Sequence, residues 1–297
     1  MKNIITLCLL LPMLGNAQNL CDLKEKAQVE QFIVDNYRIS GTPYEGFKIY
    51  GGETNSLEIP EAITMAWGDF DHDGIEDLFV HGEAHFKRYQ QTIKQAEMLI
   101  LTGRKKKHKK ITFPKRYFRK GINPVRPYVQ ILKKNTKAYL LLSVQMSRAG
   151  AKLSEQSVDT LYVKNDHLMP YSADPDKEAV VKIEFKTDYC YGTCPVFEIV
   201  MDKGGHVRYK GIDHVVQRGE KDLQLDQADW AYMSELIQNI QLRKLKDMYS
   251  VDQTDNQTGY LTVHYADGSI KKIQDYGLAG SYGLSVLYDY IFGLIDF

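Results

Sequence analysis

The chain has 297 residues, 43% of them hydrophobic and 26% charged, with 38 basic residues balancing 38 acidic ones. That composition supports a packed core and excludes a disordered chain; zero net charge excludes a globally basic nucleic-acid binder or a strongly acidic solvating protein. At roughly 100–200 residues per domain, the length points to two domains. The chain opens with Lys2, an apolar run from Ile4 to Leu14, and the small residues Gly15-Asn16-Ala17. This is the layout of a secretory signal peptide over residues 1–17, cleaved after Ala17, and its apolar run is too short to span a bilayer. Leu20 before Cys21 argues against a lipoprotein signal. No later stretch is long and apolar enough for a transmembrane segment. The expectation is an exported protein, periplasmic or extracellular, that begins at Gln18. Losing Lys2 and no acid brings its net charge to −1. Cys21, Cys190 and Cys194 remain after cleavage; an oxidising compartment favours a disulfide, and the close pair Cys190/Cys194 is the candidate. Cys21 is then the odd one out, free, paired with another chain, or lipidated if cleavage falls elsewhere.

The mature chain predicts a helix capped by Asp22, with Glu25 three residues on and Val29, Phe32, Ile33 and Val34 as its apolar face. Strand-like runs follow at Ile63–Trp67, Asp77–His81 and Met98–Thr102, then at Tyr128–Leu132, Ala138–Gln145 and Thr160–Lys164. They read as an antiparallel, β-rich domain over residues 18–171.

Between the first two strands lies Asp69-Phe-Asp71-His-Asp73-Gly74-Ile75-Glu-Asp77. Oxygen side chains fall at positions 1, 3, 5 and 9 of one tight loop, Gly74 at position 6, and the carbonyl of Ile75 at position 7. A dense all-oxygen shell suits a hard cation, so Asp69, Asp71, Asp73, Ile75 and Asp77 are candidate ligands of one structural Ca2+. Val80 stands where an EF-hand carries its bidentate Glu, and the flanks read as strands. Gly68–Leu78 therefore resembles a calcium loop of the FG-GAP and VCBS-type extracellular repeats. The resemblance covers one loop and does not imply those families' propeller. An ion-free Asp/Gly hairpin is the plain alternative. It would crowd carboxylates at a cost of about 1 kcal/mol or more per close pair near a surface.

Arg104, Lys105, Lys106, Lys107, Lys109 and Lys110 start a basic stretch that runs to Lys120 with Phe113, Tyr117 and Phe118 interleaved. That is the composition of a polyanion-binding patch, for an anionic surface or acidic glycan and not nucleic acid in an exported chain. A solvated hairpin is the plain reading of the same run.

The polar, proline-containing Tyr171–Glu178 marks a domain boundary, with the second domain over residues 178–297. Val180–Phe185 and Val196–Met201 alternate as strands, Asp202-Lys-Gly-Gly205 signals a hairpin, and His206–Lys210 returns from it. Asp226 starts a helix whose Trp230, Met233, Ile237 and Ile240 recur at core-packing spacing. A hairpin of Leu261–Tyr265 and Ser269–Gln274 and a closing helix Leu284–Ile295 complete an α+β domain with antiparallel hairpins and two helices.

Tyr189-Cys190-Tyr191-Gly192-Thr193-Cys194-Pro195-Val196-Phe197 is the most distinctive stretch. A bridge across it closes a tiny loop and chiefly shapes the turn. From about Val180 onward the chain resembles a family of bacterial secreted domains, domain-of-unknown-function family 6438. Its pattern falls on Cys190, Gly192, Cys194, Pro195, Phe197, Gly205, Tyr209 and Gly211. That resemblance brings no activity with it. C-x₃-C-P is also the spacing of Sco-like copper and thiol proteins, with His206 or His214 as a third ligand. That motif should run into a helix, whereas here β-branched and aromatic residues and a hairpin follow. A structural disulfide, a redox pair and a metal site all remain open.

The chain lacks a P-loop, a dinucleotide glycine fingerprint, an H-E-x-x-H helix and a G-x-S-x-G elbow. A metal-dependent hydrolase would have to be built from His72, His81, His85 and the aspartates at mixed spacing. The sequence thus points to an exported, non-enzymatic binding or structural module, with thiol-redox or copper handling as the alternative.

Overall fold

The computed structural model describes residues 20–39, 41–50, 63–88, 90–103, 108–114, 127–147 and 154–295. The expected signal peptide, Arg104–Lys107 and residues 115–120 lie outside them. The described chain is β-rich: three sheets, antiparallel but for one pairing, with three α-helices.

Helix α1 (Lys26–Asn36), with Glu25 at its N-cap, starts three residues later than Asp22 led us to expect. Asp22 instead closes a short 3-10 turn, Leu20–Asp22, and Gln28 reaches back to the Glu25 N–H at 3.1 Å. Sheet one holds β1 (Arg38–Ile39), β2 (Thr42–Ile49), β3 (Met65–Gly68), β4 (Asp77–Arg88), β5 (Gln91–Leu101) and β6 (Lys110–Thr112). Its order is β1-β2-β4-β5-β6, with β3 paired to the start of β4. The unbroken apolar runs Leu78-Phe79-Val80 and Met98–Leu101 arise because both faces of this sheet are covered. Leu78, Val80, Leu99 and Leu101 pack with Val29, Phe32 and Ile33 of α1, while Phe79, Ile100 and Ile111 face the main core.

Sheet two is the meander β7 (Pro127–Lys134), β8 (Lys137–Ser147), β9 (Ser154–Lys164) and β10 (His167–Pro170). Asn165 and Asp166, at φ 50° and 64°, make the two-residue turn into β10. Sheet three contains β11 (Val180–Thr187), β12 (Val196–Asp202), β13 (His206–Asp213) and β14 (Gly219–Gln224). After α2 (Gln227–Asn239) it gains β15 (Met248–Ser250), β16 (Thr258–Tyr265) and β17 (Ile270–Tyr276), and α3 (Tyr282–Ile295) ends the described chain. The strand order is β14-β13-β12-β11-β16-β17-β15, only β15–β17 being parallel. Asp226 caps α2 as expected, accepting from Ala228 N at 3.3 Å. Trp230, Met233 and Ile237 are buried in the core, as their spacing required.

One face of sheet three packs under α2 and α3 through Ile183, Phe185, Phe197 and Ile199. The opposite face carries rows of opposed charges, including Lys186–Glu198–Lys210–Glu220 in register across four strands. Such pairs suit a solvated sheet face. The expected boundary segment, Tyr171–Glu178, has no regular structure, and Asp176 is gripped by Arg243 at 2.6 and 2.7 Å. The core continues across it: Leu140, Leu161 and Met169 share one cluster with Tyr232, Leu236 and Ile291. Polar ties run the same way, from Tyr162 to Glu235 at 3.1 Å and from Tyr232 to the Leu168 carbonyl at 2.5 Å.

Candidate functional site

The acidic loop bridges β3 and β4 and is held by its own first and last aspartates. Asp77 is 1% exposed, and its carboxylate accepts the N–H groups of Phe70 (2.8 Å) and Asp71 (3.1 Å) on one oxygen and Gly103 (2.8 Å) on the other. Burial pushes this carboxyl up to about 7, the nearby Asp71 charge adds to the rise, and the three N–H donors oppose it. Gly74 adopts φ 86°, and Asp69 accepts its N–H at 3.2 Å. This is the sharp turn that the glycine was expected to provide. Gly103 must also be glycine, since a Cβ there would stand 2.2 Å from the Glu76 carbonyl.

The loop is pinned to sheet two. Its carbonyls at Asp69 and Phe70 accept from Ala138 N (3.0 Å) and Val163 N (2.8 Å), and Phe70 is fully buried. His72 stacks on Tyr162 at 5.2 Å and contacts the Ala138 carbonyl at 3.2 Å.

Of the four expected carboxylate ligands, the structure brings together three. Oxygens of Asp69, Asp71 and Asp77 lie within 4.8 Å of one another. Asp69 Oδ1 is buried and takes no hydrogen bond. Asp73 is exposed outside that trio and accepts the Ile75 N–H at 2.8 Å. The donor set is all oxygen, which fits a hard divalent cation. Among the described residues, no second group of three His, Cys, Asp or Glu side chains comes so close. His72, His81 and His85 do not converge as a hydrolase would need: His81 packs edge-on against Tyr50 at 4.9 Å, and His85 meets Glu83 at 2.8 Å.

Cys190 and Cys194 are joined in the structure, with Cα atoms 5.9 Å apart. The loop sits on buried polar anchors. Gln257 donates to the carbonyls of Asp188 (3.1 Å) and Pro195 (2.6 Å), and Thr187 Oγ1 adds a 2.8 Å bond to the same Pro195 oxygen. Tyr191 is 90% exposed beside the bridge. His206 stands at the far end of β13, roughly 23 Å away at about 3.3 Å per residue, and lies against Asp202 at 3.3 Å. His214, at the near end, lies 3.7 Å from Asp213.

The described end of the basic run is used inside the fold. Lys110 donates to the Arg38 carbonyl (2.5 Å) and Tyr44 hydroxyl (3.2 Å) and lies over the Tyr37 and Tyr44 rings; Lys109 approaches Asp166 at 3.8 Å.

A feature that sequence reading missed is a cleft of about 510 Å³ between the β6 segment, the start of β10 and helices α2 and α3. No residue of the cysteine loop lines it. Its walls come from four distant stretches, so local spacing carries no trace of it.

Together these features define a β-rich, three-sheet protein with one acidic loop and one disulfide-closed loop. Its C-terminal part, residues 181–295, matches the family model described as Domain of unknown function (DUF6438). No curated protein matches the chain, and no solved structure does. Among the described residues, no helix is long and apolar enough to cross a membrane.

Proposed function

We propose that this chain is an exported binding or structural protein, not an enzyme, in which one calcium ion braces the loop between β3 and β4. The observation that carries this reading is the trio Asp69, Asp71 and Asp77, with oxygens within 4.8 Å and one buried oxygen of Asp69 accepting no hydrogen bond. Three carboxylates so close repel one another, and a divalent cation converts that repulsion into attraction. The ion's role is structural because the loop is itself a joint. It ties the β3–β4 hairpin to Gly103 beyond β5 and to Ala138 and Val163 of sheet two. The Cys190–Cys194 bridge shapes the exposed loop between β11 and β12 in the same static sense. Export follows from the signal-peptide layout, and an anionic partner for Arg104–Lys107 from composition.

The test is thermal unfolding in millimolar calcium and in excess chelator. A ligand that binds only the native state raises the midpoint as its concentration exceeds Kd. A midpoint that rises with calcium supports the reading; one indifferent to it refutes the site.

A further inference from the structure

The cleft between Lys110–Pro114, Asp166–Leu168, α2 and α3 lies apart from the acidic loop, and its chemistry is different. At about 510 Å³ it has the size of small-molecule sites. Ile111, Pro114, Leu168, Val286 and Leu294 give it apolar walls. Three rings meet in it: Tyr232 and Tyr290 at 4.5 Å, and His167 at 4.7 Å from Tyr290 and 5.3 Å from Tyr232.

Asp229, half-buried in the first turn of α2, also lines the cleft. Its Oδ1 accepts the Tyr290 hydroxyl at 2.6 Å, and no ammonium or guanidinium group of a described residue pairs with it. Lys110, which also lines the cleft, turns its ammonium to Arg38 and Tyr44. Tyr232 spends its own proton on the Leu168 carbonyl.

A carboxylate beside π faces and apolar walls selects for a cation with a hydrocarbon body. Aromatic faces attract an ammonium within about 6 Å of the ring centroid, and the walls cover its alkyl chain. A bare metal ion is poorly served, since the aspartates of the cleft form no ligating group of the kind seen at Asp69, Asp71 and Asp77. An anion would face the carboxylate directly.

We propose that this cleft binds an alkylammonium ion, seated against His167 and Tyr290 with Asp229 as its counter-ion. The site is independent of calcium, so either assignment can fail without the other. The same chemistry could be presented by a free amine or by a lysine side chain of a peptide.

Titration calorimetry or chemical-shift mapping of the mature chain, with n-butylammonium and 1,4-diaminobutane as probes, tests it. Butyrate and n-butanol are the controls, and an acetyl-lysine-amide arm against a free amine separates the two sources. The expected result is saturable binding of the ammonium probes, at least tenfold tighter than butanol, with none for butyrate. Asp229→Asn keeps an acceptor for Tyr290 and should weaken binding at least tenfold. A second variant guards against misfolding. Gly293 lines the cleft, and a Cβ there meets no atom within 4 Å, so Gly293→Trp should block the site with the fold intact. Binding that is equal for butyrate, unchanged in both variants, or absent at millimolar amine overturns the proposal.

Discussion

Replacing Asp77 with Asn should remove most of the calcium response of the fold without destabilising the calcium-free protein. The carboxylate accepts three backbone N–H groups, two on one oxygen and one on the other. An Asn keeps one acceptor oxygen. Facing it toward Phe70 and Asp71 strands the Gly103 N–H, which costs about 1–3 kcal/mol. The change also removes a buried charge that the site disfavours, since burial lifts the carboxyl from 3.8 to about 7. Each pKa unit corresponds to about 1.4 kcal/mol, so removing the charge gains about 4 kcal/mol, opposite in sign to the lost bond and larger than it. In chelator, the variant should therefore be no less stable than wild type, and up to about 3 kcal/mol more stable. In calcium at 100 times Kd, the wild type gains about 2.7 kcal/mol. For a chain of this length that is a rise of roughly 5 °C in Tm. The Asn variant should lose most of that rise. Asp73→Asn, exposed and outside the trio, should keep more than half of it. Circular-dichroism melts of the three proteins, with and without chelator, are the assay. An Asp77→Asn protein that retains the full calcium shift, or an Asp73→Asn protein that loses as much, would refute the reasoning.

Three further outcomes follow from the same geometry. Gly103→Ala should lower the unfolding free energy from denaturant melts by more than about 2 kcal/mol, because the new Cβ meets the Glu76 carbonyl at 2.2 Å; an unchanged midpoint contradicts that close approach. Gln257→Leu conserves volume and removes two of the bonds to the cysteine loop's carbonyls, leaving that from Thr187 to Pro195. It should cost about 1–3 kcal/mol and make the Cys190–Cys194 bridge more sensitive to mild reductant, by thiol titration with mass mapping. Equal reductant sensitivity would mean that the anchors do not shape the loop. The His81 imidazole is held down to about 4 by burial, below its ordinary 6.5. The unfolded chain therefore binds the extra proton first, and stability falls as pH drops from 6.5 toward 4, by up to roughly 3 kcal/mol. His81→Phe should flatten that acid limb; a limb of undiminished slope assigns it to other groups.

The sequence was most legible where periodicity and local turn chemistry agree. The runs at Asp77–His81 and Met98–Thr102 declared strands, and Trp230, Met233 and Ile237 declared one helix face. It was least legible where a strand carries its own breakers. In β2, Pro43 and Gly46 interrupt the alternation, and the register shifts between Tyr44 and Gly46. Edge strand β14, Gly-Glu-Lys-Asp-Leu-Gln, is nearly all exposed and shows no apolar face. The acidic loop was legible as a turn and a carboxylate cluster, because its ligands lie within nine residues. What spacing could not show is that Asp77 also accepts three backbone N–H groups and that Asp73 lies outside the trio. The cleft was illegible for a plainer reason. Asp229 reads as a first-turn acid and His167 as a post-turn residue, and only the tertiary fold brings Tyr290 between them.

The central claim is that Asp69, Asp71 and Asp77 hold one ion, and it is tested most directly by counting that ion. Equilibrium dialysis of the mature chain against radiolabelled calcium, alongside Asp69→Asn and Asp71→Asn variants, gives the stoichiometry. The account predicts one calcium per wild-type chain, with weaker binding in both variants. A wild-type chain that binds no calcium at millimolar concentration, or that binds it equally well in both variants, would contradict it.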